Sequence, residues 1–175
     1  GADNKVENCW FSGQDHSGVT LCVWLDGAKP ARHLIRRNYF GNRPRGNGNG
    51  FETIRIGTSG RSMTNARCVV SENLFEKCDG EIEIISNKSC ENTYTRNTFL
   101  HCSGCFCLRH GNRCKVESNV FIGGDAKGVG GVRVVGEGHR VTGNHFSGTK
   151  GRAGGAISLQ TGIPDSPASG YMQVK

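Results

Sequence analysis

No stretch of this chain is apolar for long enough to span a bilayer, which argues for a soluble protein without a membrane partner. The long apolar runs that build a helical bundle are also missing, and 27 glycines with many asparagines count further against one. Aromatic residues make up only 7% of the chain, and most fall in a repeated, core-type element. Too few are left for an exposed base-stacking platform, so nucleic acid is a distant candidate partner. The leucine spacing of a leucine-rich repeat is absent as well. Cys102, Cys105 and Cys107 in "CSGCFC" have no second knuckle to pair with, which removes a zinc site. The chain begins at Gly1 without a methionine or signal peptide, which favours a processed chain or a fragment.

What is present is basic and glycine-punctuated. The 175 residues suffice for one domain with a real core. Lys and Arg outnumber Asp and Glu by 22 to 15, and a net charge of +7 favours polyanionic partners such as nucleic acid or acidic polysaccharide. Nine cysteines cannot all pair within the chain, so buried thiols or a few disulfides are expected.

An Asn-x-Phe-like element recurs at Asn8, Asn38, Asn73, Asn97, Asn119 and Asn144. Its later spacings are 24, 22 and 25 residues, and its earlier ones 30 and 35. Short β-type runs such as "TIRI", "EIEII", "CFCL" and "VRVV" lie between, each bounded by glycine or asparagine. This period predicts an all-β solenoid, a parallel β-helix of about six coils, with stacked asparagines at a turn and stacked phenylalanines inside. Cys78 and Cys102 each lie five residues after a repeat asparagine, and Cys68 and Cys114 five before one, which predicts thiol ladders. Neither terminus shows an amphipathic capping helix, so truncation at both ends is expected, with residues 1–175 forming one partial β-helix domain.

Coils aligned on their asparagines form a map of the surface. Glu81 and Glu83 lie 8 and 10 residues after Asn73, while Cys105, Cys107 and Arg109 lie 8, 10 and 12 after Asn97. Strand alternation sends Ile82, Ile84, Phe106 and Leu108 inward and the other set outward. Arg109 then shares a sheet face with the two glutamates, one coil on. Arg133 takes the same place on the next coil if two residues are inserted, and Arg55 supplies an outward cation on the coil before. Two carboxylates on one strand face can converge on a hard cation such as calcium. They can equally be solvated, or pair with Arg55 and Arg109. "NKS" at Asn87 is also a formal glycosylation sequon.

The ordered strings "NGNGFETIRIGTS", "NLFEKCDGEIEIISNKS", "LRHG" and "GGVRVVGEGH" resemble polysaccharide lyase family 6. The similarity covers about residues 38–148 and continues more weakly through "GRAGGAISLQTGIP". That family contains alginate lyases and chondroitinase B-type dermatan sulfate lyases on a right-handed parallel β-helix. The resemblance implies that Asn49, Glu81 and Glu83 are calcium ligands, Lys88 the catalytic base and Arg109 the catalytic acid. It places His110, Arg55 and Arg133 along the substrate groove, with His139 a weaker candidate there.

The implied reaction is β-elimination of a 4-linked uronic acid polymer, leaving a 4,5-unsaturated sugar. Lys88 would take the C5 proton and must be neutral to do so. Arg109 would stabilise the leaving O4, with the proton delivered from it or from water. "NGNGFETIRIGTS" looks closer to alginate-active members, which favours alginate (poly-mannuronate) over dermatan sulfate. Two other readings stay open, a non-catalytic binder of acidic polysaccharide and a uronan C5-epimerase. Either lyase substrate implies a secreted or periplasmic protein.

Overall fold

The computed structural model describes residues 1–25, 27, 29–150 and 155–160. The last part of "GRAGGAISLQTGIP", residues 161–164, and its start, residues 151–154, lie outside the described residues. The chain winds through six coils, each contributing one strand to each of three six-stranded sheets. The first coil carries β1 (Lys5–Glu7), β2 (Trp10–Ser12) and β3 (Leu21–Val23), and the second β4 (Leu34–Arg36), β5 (Tyr39–Arg43) and β6 (Ile54–Gly57). The third carries β7 (Val69–Ser71), β8 (Leu74–Cys78) and β9 (Glu83–Lys88), and the fourth β10 (Thr93–Thr95), β11 (Thr98–Leu100) and β12 (Gly104–His110). The fifth carries β13 (Lys115–Glu117), β14 (Val120–Ile122) and β15 (Val129–Val135), and the sixth β16 (Arg140–Thr142), β17 (His145–Ser147) and β18 (Ile157–Gln160). Every pairing between coils is parallel. A single 3-10 turn, Ser59–Arg61, is the one helical element among the described residues, and none of them forms a helix long and apolar enough to cross a membrane.

Strands of three residues do not persist alone; here each is held by the coil above and below. In the second sheet Phe11, Phe40, Phe75, Phe99, Phe121 and Phe146 stack with ring centroids 4.6–5.0 Å apart and planes within 11°. That spacing is the distance between paired strands, so backbone pairing and aromatic stacking satisfy one another.

The asparagines form a second ladder. Each amide nitrogen of Asn38, Asn73, Asn97 and Asn119 donates to the Oδ1 of the next asparagine at 2.9–3.0 Å. The same Nδ2 also donates to a backbone carbonyl of the preceding coil. Each Oδ1 additionally accepts the backbone N–H of the asparagine before it, so a buried polar column carries no unmet donor at these positions.

Asn8 does not belong to this ladder, contrary to the sequence expectation. Cys9 takes the position, its N–H donating to Asn38 Oδ1 at 2.9 Å. Asn8 instead occupies the left-handed bend that precedes the ladder on every coil, with Arg37, Glu72, Arg96, Ser118 and Gly143 at its equivalents. A repeat read from residue type alone cannot separate these neighbouring positions, since asparagine suits both.

All nine cysteines are free thiols, seven of them buried, so no disulfide contributes to the fold. Cys78 and Cys102 do stack as expected, with the Cys78 N–H meeting Cys102 Sγ at 3.4 Å. Cys68 and Cys114 are not ladder neighbours. Asn92 lies between them, its Oδ1 accepting the Cys68 N–H at 2.9 Å, and His139 Nδ1 accepts that of Cys114 at 3.1 Å.

The third sheet departs from strict alternation. Its register shifts between Cys105 and Phe106, so that Glu83 pairs with Cys105 but Ile85 with Phe106, leaving Ile84 as a bulge. Ile84, Ile85, Phe106 and Leu108 fill the core, whereas Ile82 lies before the strand and is only half-buried. A further shift places Arg133 opposite Cys107, two positions before Arg109 rather than in its column.

Candidate active site

The outward face of the third sheet concentrates charge. Glu83 opens β9 and is 8% exposed. Its Oε2 accepts a hydrogen bond from Ser86 Oγ at 2.5 Å, and its Oε1 faces Arg109 Nε at 3.4 Å and Arg133 Nη1 at 3.7 Å. Arg109 and Arg133 thus reach one carboxylate from successive coils despite their different columns. Glu81, in the turn before β9, accepts the Gly50 N–H at 3.2 Å. Burial, and then the neighbouring Glu52 and Glu83 charges, push its carboxyl up to about 7.

Glu52 completes the cluster, and sequence reasoning missed it. It stands just ahead of β6 and is 1% exposed. Its Oε1 lies 3.9 Å from Lys88 Nζ and 4.0 Å from Arg55 Nη1, while Oε2 is buried with no hydrogen-bond partner. The only signal was its place in "NGFETIRIG", where the glutamate reads as an ordinary pre-strand residue. Glu52, Glu81 and Glu83 each offer a carboxylate oxygen, all within 4.8 Å of one another.

Asn49 is exposed on the rim of a cavity of about 560 Å³, lined in part by Gly48, Gly80, Glu81 and Ile82. Its neighbour Gly50 is the residue that bonds Glu81, so the loop and the cluster are joined. Three gathered carboxylates, one with an orphaned buried oxygen, suit a hard divalent cation that takes oxygen ligands. Both alternatives drawn from the sequence are therefore present in part: the glutamates cluster, and they also face arginines.

Lys88 ends β9, paired with Gly57 on one side and His110 on the other. Its seat is built from below by Asn87, whose Nδ2 donates to the carbonyls of His110 and Ser89. Asn87 Oδ1 in turn accepts from Tyr94 Oη at 2.7 Å and Asn92 Nδ2 at 2.8 Å. Asn87 is wholly buried in this network, so the "NKS" sequon is inaccessible in the folded chain.

His110 is 2% exposed and therefore sits beneath the groove surface, its Nε2 3.4 Å from Ser59 Oγ. Burial and the nearby Arg109, Lys88 and Arg133 charges push its imidazole down to about 4, leaving it neutral at neutral pH. His139 is not brought into the cluster. It sits at the corner before β16, its Nδ1 taken by the Cys114 N–H and its Nε2 3.2 Å from the Val135 carbonyl. Arg55 does face the cluster, and its Nη2 also reaches Cys22 Sγ at 3.5 Å.

Comparison with known proteins adds a lineage to this geometry. The chondroitinase B family model matches residues 1–175. Among solved structures, a mannuronic acid specific polysaccharide family 6 lyase from human gut microbiota superposes with a TM-score of 0.90 at 39% identity, over 95% of this chain and 37% of that one. The PL6 family alginate lyase AlyGC gives 0.94 at 39% identity, over 99% of this chain and 24% of that one. The PL6 family polysaccharide lyase Pedsa3628 from Pseudopedobacter saltans gives 0.76 at 25%, over 99% of this chain and 44% of that one. The chain therefore spans less than half the length of each of these structures. No curated protein sequence matches it.

Proposed function

The chain belongs to the chondroitinase B family, and on that premise we propose that it is a calcium-dependent lyase that cleaves a 4-linked uronic acid polymer by β-elimination. The observation that carries this reading is the convergence of Glu52, Glu81 and Glu83 within 4.8 Å beside Lys88 and Arg109 on successive coils. These carboxylates, with Asn49 at the rim, would hold calcium, whose charge when bound offsets that of the substrate carboxylate and makes the C5 proton more acidic.

Lys88 Nζ takes the C5 proton. The electron pair left on C5 forms the C4=C5 double bond as the C4–O4 bond breaks. Arg109 faces the departing O4 and stabilises its negative charge, while a water proton completes the new hydroxyl, because a guanidinium hardly gives up its own. Arg55 and Arg133 flank the cluster and bind uronate carboxylates along the chain. His110, neutral and beneath the groove, supports the Lys88 column through their strand pairing.

Alginate is the favoured substrate, mannuronate blocks above all. Support comes from two of the matched structures, one named a mannuronic acid specific lyase and the other an alginate lyase. A polymer of this size is met outside the cytoplasm, so the protein is secreted or periplasmic, with residues 1–175 forming part of one β-helix lyase domain.

The test is incubation with alginate, its mannuronate and guluronate blocks, and dermatan sulfate, in calcium or in chelator. The expected result is ultraviolet-absorbing unsaturated ends and falling polymer size on alginate, both lost in chelator. Inverted C5 centres at constant polymer size would instead mark an epimerase, and binding without product a non-catalytic receptor.

A further inference from the structure

The lyase reading leaves one exposed aromatic on the working face without a role. Burial alternates cleanly from Cys22 to Leu25: Val23 and Leu25 point into the core, Cys22 and Trp24 outward. Trp24 is 68% exposed. The outward side of β3 is the side on which Cys22 meets Arg55, so Trp24 shares the face of Arg55, Lys88 and Arg109. Val23, the last residue of β3, pairs with Ile56, and Gly57, the next residue after Ile56, pairs with Lys88. Extending that register by one residue past the strand lines up Trp24, Gly57 and Lys88 across three coils.

Glycine in the middle of that line has two consequences. Its φ of +89° is the left-handed conformation, and a Cβ there would come within 2.4 Å of the Lys88 carbonyl oxygen. Gly57 therefore places no side chain of its own between Trp24 and Lys88 in this column. Two coil spacings, about 9.6 Å at the usual strand separation, divide them. That is close to the rise of two sugar residues in an extended 4-linked uronan.

The surroundings suit a sugar ring. Trp24, Lys29 and Pro30 border, together with Gly1, Ala2 and the core side chains Leu25 and Ala31, a concavity of about 660 Å³ on the first coil. Thr64 Oγ1 donates to the Gly27 carbonyl at 3.3 Å, tying the loop after β6 to its edge. An indole offers the flat apolar surface on which the C–H face of a pyranose packs. Lys29 adds a cation for the ring's carboxylate, in keeping with the basic balance of the whole chain.

We propose that Trp24 is the stacking platform of a distal subsite, which binds a uronate ring two residues along the same polymer from the ring bound at Lys88. The proposal rests on the lyase reading for the identity of the polymer. Trp24 is a positioning residue, and it touches the substrate away from the reacting atoms.

Two measurements test it. Trp10 and Trp24 are the two tryptophans of the chain, so Trp10→Phe leaves Trp24 as the sole indole reporter. In a Trp10→Phe, Lys88→Ala protein, which leaves the probe uncut, mannuronate hexasaccharide should shift and quench the emission saturably, whereas the disaccharide should not. Separately, Trp24→Ala should raise KM for polymeric mannuronate about tenfold, equivalent to about 1.4 kcal/mol. Its kcat should stay within about twofold, the signature of lost uniform binding. Trp24→Phe should recover most of the lost affinity. A silent indole together with an unchanged KM in an active enzyme overturns the subsite and leaves the lyase reading intact. A responding indole in a wild-type protein that forms no unsaturated product keeps the subsite and removes the lyase reading. If neither signal appears, both fall.

Discussion

At the scale of single residues, the proposed chemistry depends on groups whose surroundings differ sharply. Lys88→Ala should lower formation of unsaturated product by at least about a thousandfold while leaving the circular dichroism unchanged, since it removes the base and not the buried Asn87 seat beneath it. Near-normal turnover would remove Lys88 from the mechanism. Glu52→Gln preserves shape and deletes one charge of the cluster, so calcium affinity measured by calorimetry should fall at least about tenfold. Unaltered affinity would exclude Glu52 as a ligand. His110 gives a pH signature of its own. Its folded pKa of about 4 lies below the ordinary value of 6.5, so between these limits the unfolded chain binds more protons. Stability from neutral His110 is thus complete above about pH 6.5 and is lost as pH falls towards 4, by an amount on the order of 3 kcal/mol. Urea midpoints across that range should flatten in His110→Gln; an unchanged slope would assign the acid sensitivity elsewhere. Glu83 and Arg109 could be placed on one face from spacing because they lie on adjacent strands, with Glu81 just ahead of the first, whereas Lys88 was marked by the resemblance alone. Glu52 was marked by neither, because it reaches the cluster from the preceding coil.

At the scale of the elements, most of the architecture was legible because a ladder demands the same residue type at the same turn. Phe40, Phe75, Phe99 and Phe121 could be aligned by eye for that reason, and the asparagines beside them follow. The ladder also predicts a gradient of tolerance. Asn97→Ala removes a buried amide that gives two hydrogen bonds and accepts two more, stranding the donors of Asn73. It should destabilise the fold by about 3–4 kcal/mol in denaturant titration, with Asn144→Ala, nearer the surface, costing clearly less. Equal losses at both positions would mean that burial does not set the strength of the ladder. Register was the less legible part. The bulge at Ile84 and the offset of Arg133 arise from where residues are inserted within a coil, and composition carries no trace of that choice. The slip at Asn8 has a different origin, a polar residue that fits two successive backbone conformations equally well.

At the scale of the whole molecule, the cysteines report on folding without contributing a covalent link. Brief alkylation of the native protein should label Cys9 and Cys22, and mass spectrometry after unfolding should find the remaining seven modified as well. Early labelling of Cys78 or Cys102 would contradict the packed interior. The side chains of the first and last coils are more exposed than those between: β2 and β17 present exposed residues at both ends of their strands, whereas β8 and β11 hold theirs against neighbours. Lys88 and Arg109 belong to the third and fourth coils, as far from either edge as six coils allow. In a polypeptide of these 175 residues alone, whose contacts run from rung to rung, thermal opening begins at its outer rungs and travels inward like a fraying rope. Amide exchange should therefore be fastest in β1–β3 and β16–β18 and slowest across β8–β12. Lys88 and Arg109, the groups proposed to react, lie on rungs paired on both sides, so brief unwinding of distant rungs need not disturb them.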